Sequence, residues 1–508
     1  MTARSPWRRS GAGSGAVAAL LALLVLATTA AAQSPPQWAI TGVNLVDGTG
    51  RPTVAGATIT GSGERITCAG PSAACPVPPE ATVLSAAGKW VIPGLIDTHV
   101  HLHWEDPAST RRAQLVRFAF GVTTAREAGT SDSLEQSLQY RAQTNLVTSP
   151  EPRLLVSGLL SEQHRMRYGA PSPEALVGKL AAMGVDAIKV KPQGDQFTSD
   201  GWRAIVDAAH AAHLPVWGHT WNATASELRD AVEAGIDGVT HATTFLLADH
   251  VEAAANAPRS IEDWMRSKDE WGLVDDGRVK AMAKMLVAKG IWFEPTLVTE
   301  KNFTLPYPFA RDIQYLGSVP TLWEQFRPLI PVGDSSLIAV RDRRRRMASN
   351  FQHICRLAQA FHEAGGVMTA GTDEETPGRA LADEIQLLHD CGLSTVEALQ
   401  AASSVAARVL RLPDRGSIGP GMIADLVILN AEPTGSAEAL RQVWRVVKGG
   451  RVYDPAVLLA PLVQAYEHEW RRTWAIRAGL AAAVAIAMFG VWAVVRARSR
   501  RMASGTGR

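Results

Sequence analysis

From about Gly121 onward one pattern repeats along the chain: a short apolar run, a few polar residues, then a stretch with helical spacing. The runs are "GVTTAR" at 121–126, "RLLVSGLL" at 153–160, "VDAIKVK" at 185–191, "LPVWGHT" at 214–220, "GIDGVTHA" at 235–242, "GIWFEPTL" at 290–297 and "GGVMTAGTD" at 365–373. A further run at 91–102 brings the total to eight. Amphipathic helical patterns such as "SPEALVGKLAAM" and "ASELRDAVEA" lie between several of them. Strands that alternate with helices pair in parallel, and eight such units suggest a closed (β/α)8 barrel over residues 93–409. The long connections at 245–280 and 301–360 are then loops over the barrel mouth, where function concentrates.

The character changes outside this region. Residues 37–92 and 410–455 read as short strands with Gly-rich turns, and are expected to meet as one small β-sandwich. Residues 1–32 have a basic start (Arg4, Arg8, Arg9), an apolar core and an A-x-A ending at Ala32, the pattern of a secretory signal peptide. Residues 456–477 read as a linker, and 478–495 as a transmembrane helix of eighteen residues without a charge. A bilayer needs about 17–25 such residues, so a buried helix is the alternative. The arginines of the tail 496–508 favour its placement on the cytoplasmic side, which leaves the body of the chain exported and tethered. In an oxidising compartment Cys68 and Cys75 can close a short loop as a disulfide.

A formal net charge of +2 suggests no polyanionic partner, and no basic stripe interleaved with aromatics supports nucleic-acid binding. The run "RDRRRR" at 341–346 reads as a solvated helix face. What stands out is "LIDTHVHLHW" at 95–104, where His99, His101 and His103 alternate. Alternate residues on a strand share a face, so His99 and His101, beside Asp97, suit a transition metal. An isolated pair of this kind also suits a partly exposed strand, so the rest of the chain must decide.

It does so by position. Lys189 lies in the fourth run, His219 in the fifth, His241 in the sixth and Asp373 in the eighth. In a barrel of this type the C-terminal strand ends converge on one mouth, which brings these residues together with His99 and His101. Singly, His219 and His241 read as satisfied polar residues and Asp373 as a helix N-cap. Lys189, flanked by Ile188 and Val190, is harder to place, because an unpaired buried ammonium is costly. Lys191 lies two residues on and is the alternative to it.

The run "GLIDTHVHL", with "GVTTAREAG", "AIKV", "GHT", "THA", "AGTD" and "GSIGPGMIADLVIL", resembles the metal-dependent amidohydrolases, in the branch near imidazolonepropionase and the Xaa-Pro and Xaa-Arg dipeptidases. The resemblance spans about residues 38–455. It implies two divalent ions, most simply zinc, held by His99 and His101 on the buried side and by His219 and His241 on the exposed side. Lys189 would bridge them as a carboxylated lysine, and Asp373 would be both ligand and proton carrier. His103 matches no ligand position. Two ions ~3.5–4 Å apart can share a hydroxide whose pKa falls to roughly 7, a nucleophile at neutral pH.

The chain departs from the branch in having Thr240 where a glutamate is common, and "KPQGD" after the lysine in place of a glycine pair. The loop after the third strand survives only as "SEQHRMRYG", with His164 as its substrate contact. The expected function is an exported, membrane-anchored hydrolase of amide-type C–N bonds in small peptides or cyclic amides. The rivals are a mononuclear deaminase and a non-catalytic binding protein on the same barrel. The expected partners are a small molecule or short peptide and, through the C-terminal helix, the membrane. Nucleic acid is not expected, and a homo-oligomer is allowed but not required.

Overall fold

The computed structural model describes residues 35–129, 133–190, 199–218, 225–241, 275–304, 351–373 and 378–503. Within these, seven short parallel strands form the barrel sheet. They are β6 (Leu95–Val100), β7 (Val122–Glu127), β8 (Arg153–Leu160), β9 (Ala187–Val190), β10 (Val216–Gly218), β11 (Gly238–Thr240) and β12 (Trp292–Glu294), paired in sequence order. The eighth run does not form a strand. It contributes a single parallel bridge, Phe293 to Met368, and closes the ring by backbone hydrogen bonds. Phe293 N donates to Val367 O on one side, and Thr98 N donates to Ala370 O on the other.

Close approach explains why this segment is glycine-bearing. A Cβ on Gly371 would lie 2.7 Å from the His99 Cβ and 2.9 Å from the Glu294 carboxyl carbon. Gly94, the glycine of the Pro-Gly break, has the same role, since a Cβ there would meet the Thr123 hydroxyl at 2.1 Å. That break splits the expected first strand. β5 (Trp90–Pro93) leaves the barrel and pairs with β13 (Leu426–Leu429) in the other sheet, while β6 stays.

Along the barrel strands the side chains alternate as a two-residue period requires. Ile188, Val190, Val216 and Val239 pack outward into the large core shared with the helices, among them Leu176 and Leu180 of the helix Pro173–Ala182. Burying each such side chain contributes roughly 1.5–3 kcal/mol. Ala187, Trp217 and Trp292 point the other way and fill the barrel interior. The helix Pro173–Ala182 starts where the sequence says it should. Ser172 accepts from the Ala175 N–H and proline follows at the first helical position.

The flanking segments meet in one eight-stranded sheet, ordered β15 (Arg451–Tyr453), β14 (Val443–Lys448), β13, β5, β1 (Gln37–Leu45), β2 (Val54–Ser62) and β3 (Arg65–Pro71), with β4 (Thr82–Ser85) added on β1. The β3 edge returns to the C-terminal segment through a bridge between Arg65 and Ile423. The sheet therefore encloses a core of its own, including Ile40, Ile59, Val91, Leu426 and Val447. Cys68 and Cys75 are disulfide-bonded as expected. A second disulfide, Cys355–Cys391, joins the helical segment 351–363 to the C-terminal end of the helix Ala380–Asp390. Its 36-residue separation matches no sequence pattern, and a loop of that size adds roughly 3–4 kcal/mol by chain-entropy reasoning.

The C-terminal expectation needs correction. Residues 456–477 are not a linker: Pro455–Ala503 is one continuous helix of 49 residues. Among the described residues no helix is long and apolar enough to cross a membrane. The span expected at 478–495 is thus not found as a separate element. It is only eighteen residues long and Ala-rich, and it continues a helix that carries Glu467, Glu469, Arg471 and Arg472. The signal peptide expected at 1–32, the arginine run at 341–346 and most of both long connections lie outside the described residues.

Candidate metal centre

β6 delivers His99 at its C-terminal end and His101 just beyond. β11 delivers His241, and the closing segment delivers Asp373. These groups meet. Asp373 Oδ1 lies 2.9 Å from His101 Nε2 and 3.2 Å from His99 Nε2, and its Oδ2 lies 3.6 Å from His241 Nδ1. Ligand atoms of His99, His241 and Asp373 all fall within 4.8 Å of one another. Three imidazoles gathered on one carboxylate are borderline-soft nitrogen plus hard oxygen, the donor chemistry of zinc and its neighbours. The residues present fit a divalent transition metal.

Electrostatics keep the donors in their binding forms. Burial pushes His101 and His241 toward the neutral state, and holds His241 well below its ordinary value although Asp373 pulls the other way. Burial would raise Asp373, but His99 and His241 beside it hold its carboxyl well below the usual range. Neutral imidazole and ionised carboxylate are the forms that ligate.

The backbone here is also unusual. His241 (φ 67°), Thr296 (φ 49°) and Asp373 (φ 44°) all occupy the left-handed region. Each such placement costs of order 1–3 kcal/mol, and non-glycine cases cluster at functional sites. The Asp373 conformation is held by its own N–H, which donates to His99 O at 2.8 Å. His241 is held through Nδ1, 2.8 Å from the Thr296 hydroxyl.

Beneath the ligand cluster lies a layer that the sequence reading missed. Glu294, at the end of β12 and fully buried, lies 2.7 Å from His99 Nδ1 through Oε2. Its Oε1 accepts from Arg126 Nη2 at 2.9 Å, and Arg126 Nε donates to Thr98 O at 2.7 Å. Burial would raise the Glu294 carboxyl, but the Arg126 guanidinium and His99 outweigh it and hold it at about 2. Burial in turn brings Arg126 down to about 10. The guanidinium stacks 3.3 Å from the Trp217 ring centroid, and His99 meets the same indole edge-on at 5.2 Å.

Thr240, which stands where the related branch commonly has glutamate, sits beside Glu294 in register. Its hydroxyl is 3.2 Å from the same His99 nitrogen. Asp97 does not reach the ligand atoms. It accepts from the Thr372 N–H and hydroxyl at 3.0 and 2.8 Å, and so anchors the residue before Asp373. Burial raises its carboxyl to about 6, against the lowering pull of Arg117 and Thr372.

The remaining expected residues are placed as follows. Lys189 points into the barrel from β9 at 2 % exposure, its Nζ 3.7 Å from the Trp217 ring centroid. Its charge reaches His101, His241 and Glu294. His164 is buried in the short helix Glu162–Arg167 after β8, with Nδ1 2.7 Å from the Ser161 hydroxyl. His103 is half-exposed and lies 3.3 Å from Glu105. His219 and Lys191 lie outside the described residues.

The amidohydrolase family model matches residues 90–453. An imidazolonepropionase from Anaeromyxobacter dehalogenans is 25% identical over 422 residues, covering 74% of this chain and 84% of that one. An uncharacterized protein from Mycobacterium tuberculosis is 26% identical over 394 residues, covering 72% and 86%. Among solved structures, a Xaa-Pro dipeptidase with bound methionine in the active site has a TM-score of 0.58 at 21% identity, over 82% of this chain and 100% of that one. Molinate hydrolase has a TM-score of 0.59 at 20% identity, over 85% and 98%. At those identities the solved structures speak to the fold. The family match runs from the first residue of β5 to the last of β15 and takes in the whole ligand cluster: the chain belongs to the amidohydrolase family, hydrolases of carbon–nitrogen bonds.

Proposed function

We propose that this chain hydrolyses an amide-type C–N bond in a small peptide or cyclic amide, with two divalent ions at the barrel mouth, as an exported and membrane-anchored enzyme. The observation that carries the reading is the convergence of His99, His101 and His241 on Asp373. His99 and His101 would hold one ion, and His219 and His241 the other. Lys189, once carboxylated, would bridge them. When bound, such ions polarise the substrate carbonyl and bring water into its nucleophilic range near neutral pH. Asp373 would hold the proton that water loses and return it to the leaving nitrogen as general acid. Arg126 and Glu294 hold His99 in place, and the packed indole of Trp217 excludes water from beneath the cluster.

One observation favours a single-ion alternative, the deaminase reading. Only His99, His241 and Asp373 come within 4.8 Å of one another among the described residues, which is a one-ion set. Elemental analysis separates the two. Protein purified without chelator should carry close to two metals per chain and hydrolyse members of a dipeptide and cyclic-amide panel. A stoichiometry near one, with release of ammonia from amino-heterocycles, would establish the deaminase.

Export is supported by the leader-like composition of residues 4–32 and by the pairing of all four cysteines. Anchoring is supported by Ile486, Phe489, Trp492 and Val494, which stand exposed on the C-terminal helix. Removing residues beyond about 470 should convert a detergent-requiring protein into a freely soluble one with full activity. Equal solubility of the intact chain without detergent would remove the anchor.

A further inference from the structure

We propose that Glu294, itself fixed by Arg126, is a positioning residue that sets the tautomer of His99 and thereby commits Nε2 to the metal. The inference rests on the reading of His99 as a ligand and adds to it the group that decides which nitrogen ligates.

The argument is one of donors and acceptors. A guanidinium can only donate, and a carboxylate can only accept. Arg126 Nη2 therefore donates to Glu294 Oε1 at 2.9 Å, and Oε2 is left to accept from His99 Nδ1 at 2.7 Å. The Asp373 carboxylate, 3.2 Å from Nε2, can also only accept, so the two carboxylates compete for the ring proton. The Glu294 contact is the shorter of the two, at 2.7 Å against 3.2 Å, so in the neutral ring the proton belongs on Nδ1 and Nε2 is left for the metal. The Thr240 hydroxyl, 3.2 Å from Nδ1, can either donate or accept and so dictates nothing.

Neither partner can turn away. Arg126 is pinned by Thr98 O at 2.7 Å and stacked on Trp217, and Glu294 is 0 % exposed with its carboxyl carbon hard against the Gly371 position. Carboxylate partners of ligating histidines fix ring orientation, and their loss typically costs about 10–100-fold in metal affinity.

The test exploits the difference between an acid and its amide. In Glu294→Gln the amide oxygen must still face Arg126, so the NH2 group faces His99 and forces Nδ1 to accept. Nε2 then carries the proton. Zinc affinity of the full-length protein, measured by chelator competition, should fall about 10–100-fold. In 15N spectra of the metal-free protein at mildly alkaline pH, the His99 signal should move from the Nδ1-protonated to the Nε2-protonated form. Adding Arg126→Met frees the amide to rotate, so the double variant should recover affinity relative to Glu294→Gln.

A Glu294→Gln protein with unchanged affinity and unchanged ring protonation would overturn the proposal, as would a double variant weaker than the single one. If Glu294→Gln does not fold, the wild-type spectrum decides: His99 protonated on Nε2 in the neutral ring overturns it. His99→Ala serves as the control. Unchanged zinc affinity there refutes the metal-centre reading itself and not the positioning role.

Discussion

Replacing Asp373 by asparagine should lower kcat on any amide the protein hydrolyses by at least about 10^3-fold, with KM within a few-fold of the native value. Asparagine is the right probe for two physical reasons. It tolerates the left-handed backbone that Asp373 adopts at φ 44°, so the closing segment keeps its shape. It also preserves size and one acceptor oxygen, so contacts within 3.2 Å of His99 and His101 are changed in charge more than in packing. What is lost is the capacity proposed for it, to take a proton and return it. Thermal unfolding should stay within a few degrees of native, because the residue sits at the mouth and not in the core. Metal content measured on the same sample separates a proton-transfer defect from a ligation defect. Retention of more than a tenth of native kcat would remove Asp373 from the proton path.

Much of this architecture was legible because it is written in local periodicity. The run at 153–160 is β8 residue for residue, and "ASELRDAVEA" is the helix Ala225–Ala234. That His99, His101, His241 and Asp373 come together was legible because strand ends in a parallel barrel converge whatever the exact register. The missed features share the opposite property. The Cys355–Cys391 disulfide spans 36 residues, and Arg126 meets Glu294 across 168.

No local pattern announces a contact of that kind, though two signals were present. Arg126 closes the otherwise uncharged strand run "GVTTAR", and Glu294 interrupts the apolar "IWF". Charges on buried barrel strands imply partners inside the barrel. The eighth run failed as a strand for a steric reason. Gly371 passes so close to His99 and Glu294 that the segment follows the ligand cluster and not a regular ladder.

His164 lies after β8, on the loop where the resemblance put it, and is buried with its ring against the Ser161 hydroxyl, which also caps the helix start.

Lys189→Ala should abolish bound metal and activity together, and this prediction separates the two-ion mechanism from its rival. Lys189 sits between outward-packed Ile188 and Val190 on β9 and points into the barrel at 2 % exposure. Its charge bears on His101 and His241, two of the groups proposed to hold cations. As an ammonium it finds some compensation in the Trp217 ring, 3.7 Å away, a contact worth up to about 2 kcal/mol when desolvated. That same positive charge opposes any divalent ion at the mouth. Reaction with carbon dioxide would reverse it: the neutral amine would add to the carbon, a proton would leave the nitrogen, and the side chain would end as a carbamate anion with two oxygens. The variant removes the amine and with it the proposed bridge. Short carboxylates such as acetate or propionate, added at high concentration with zinc, should then restore part of the metal content and part of the turnover, since they supply the missing anion to the space the side chain leaves. If instead Lys189→Ala keeps its full metal complement and near-native turnover, the lysine is an ammonium stacked on Trp217, and the single-ion reading takes the place of this one.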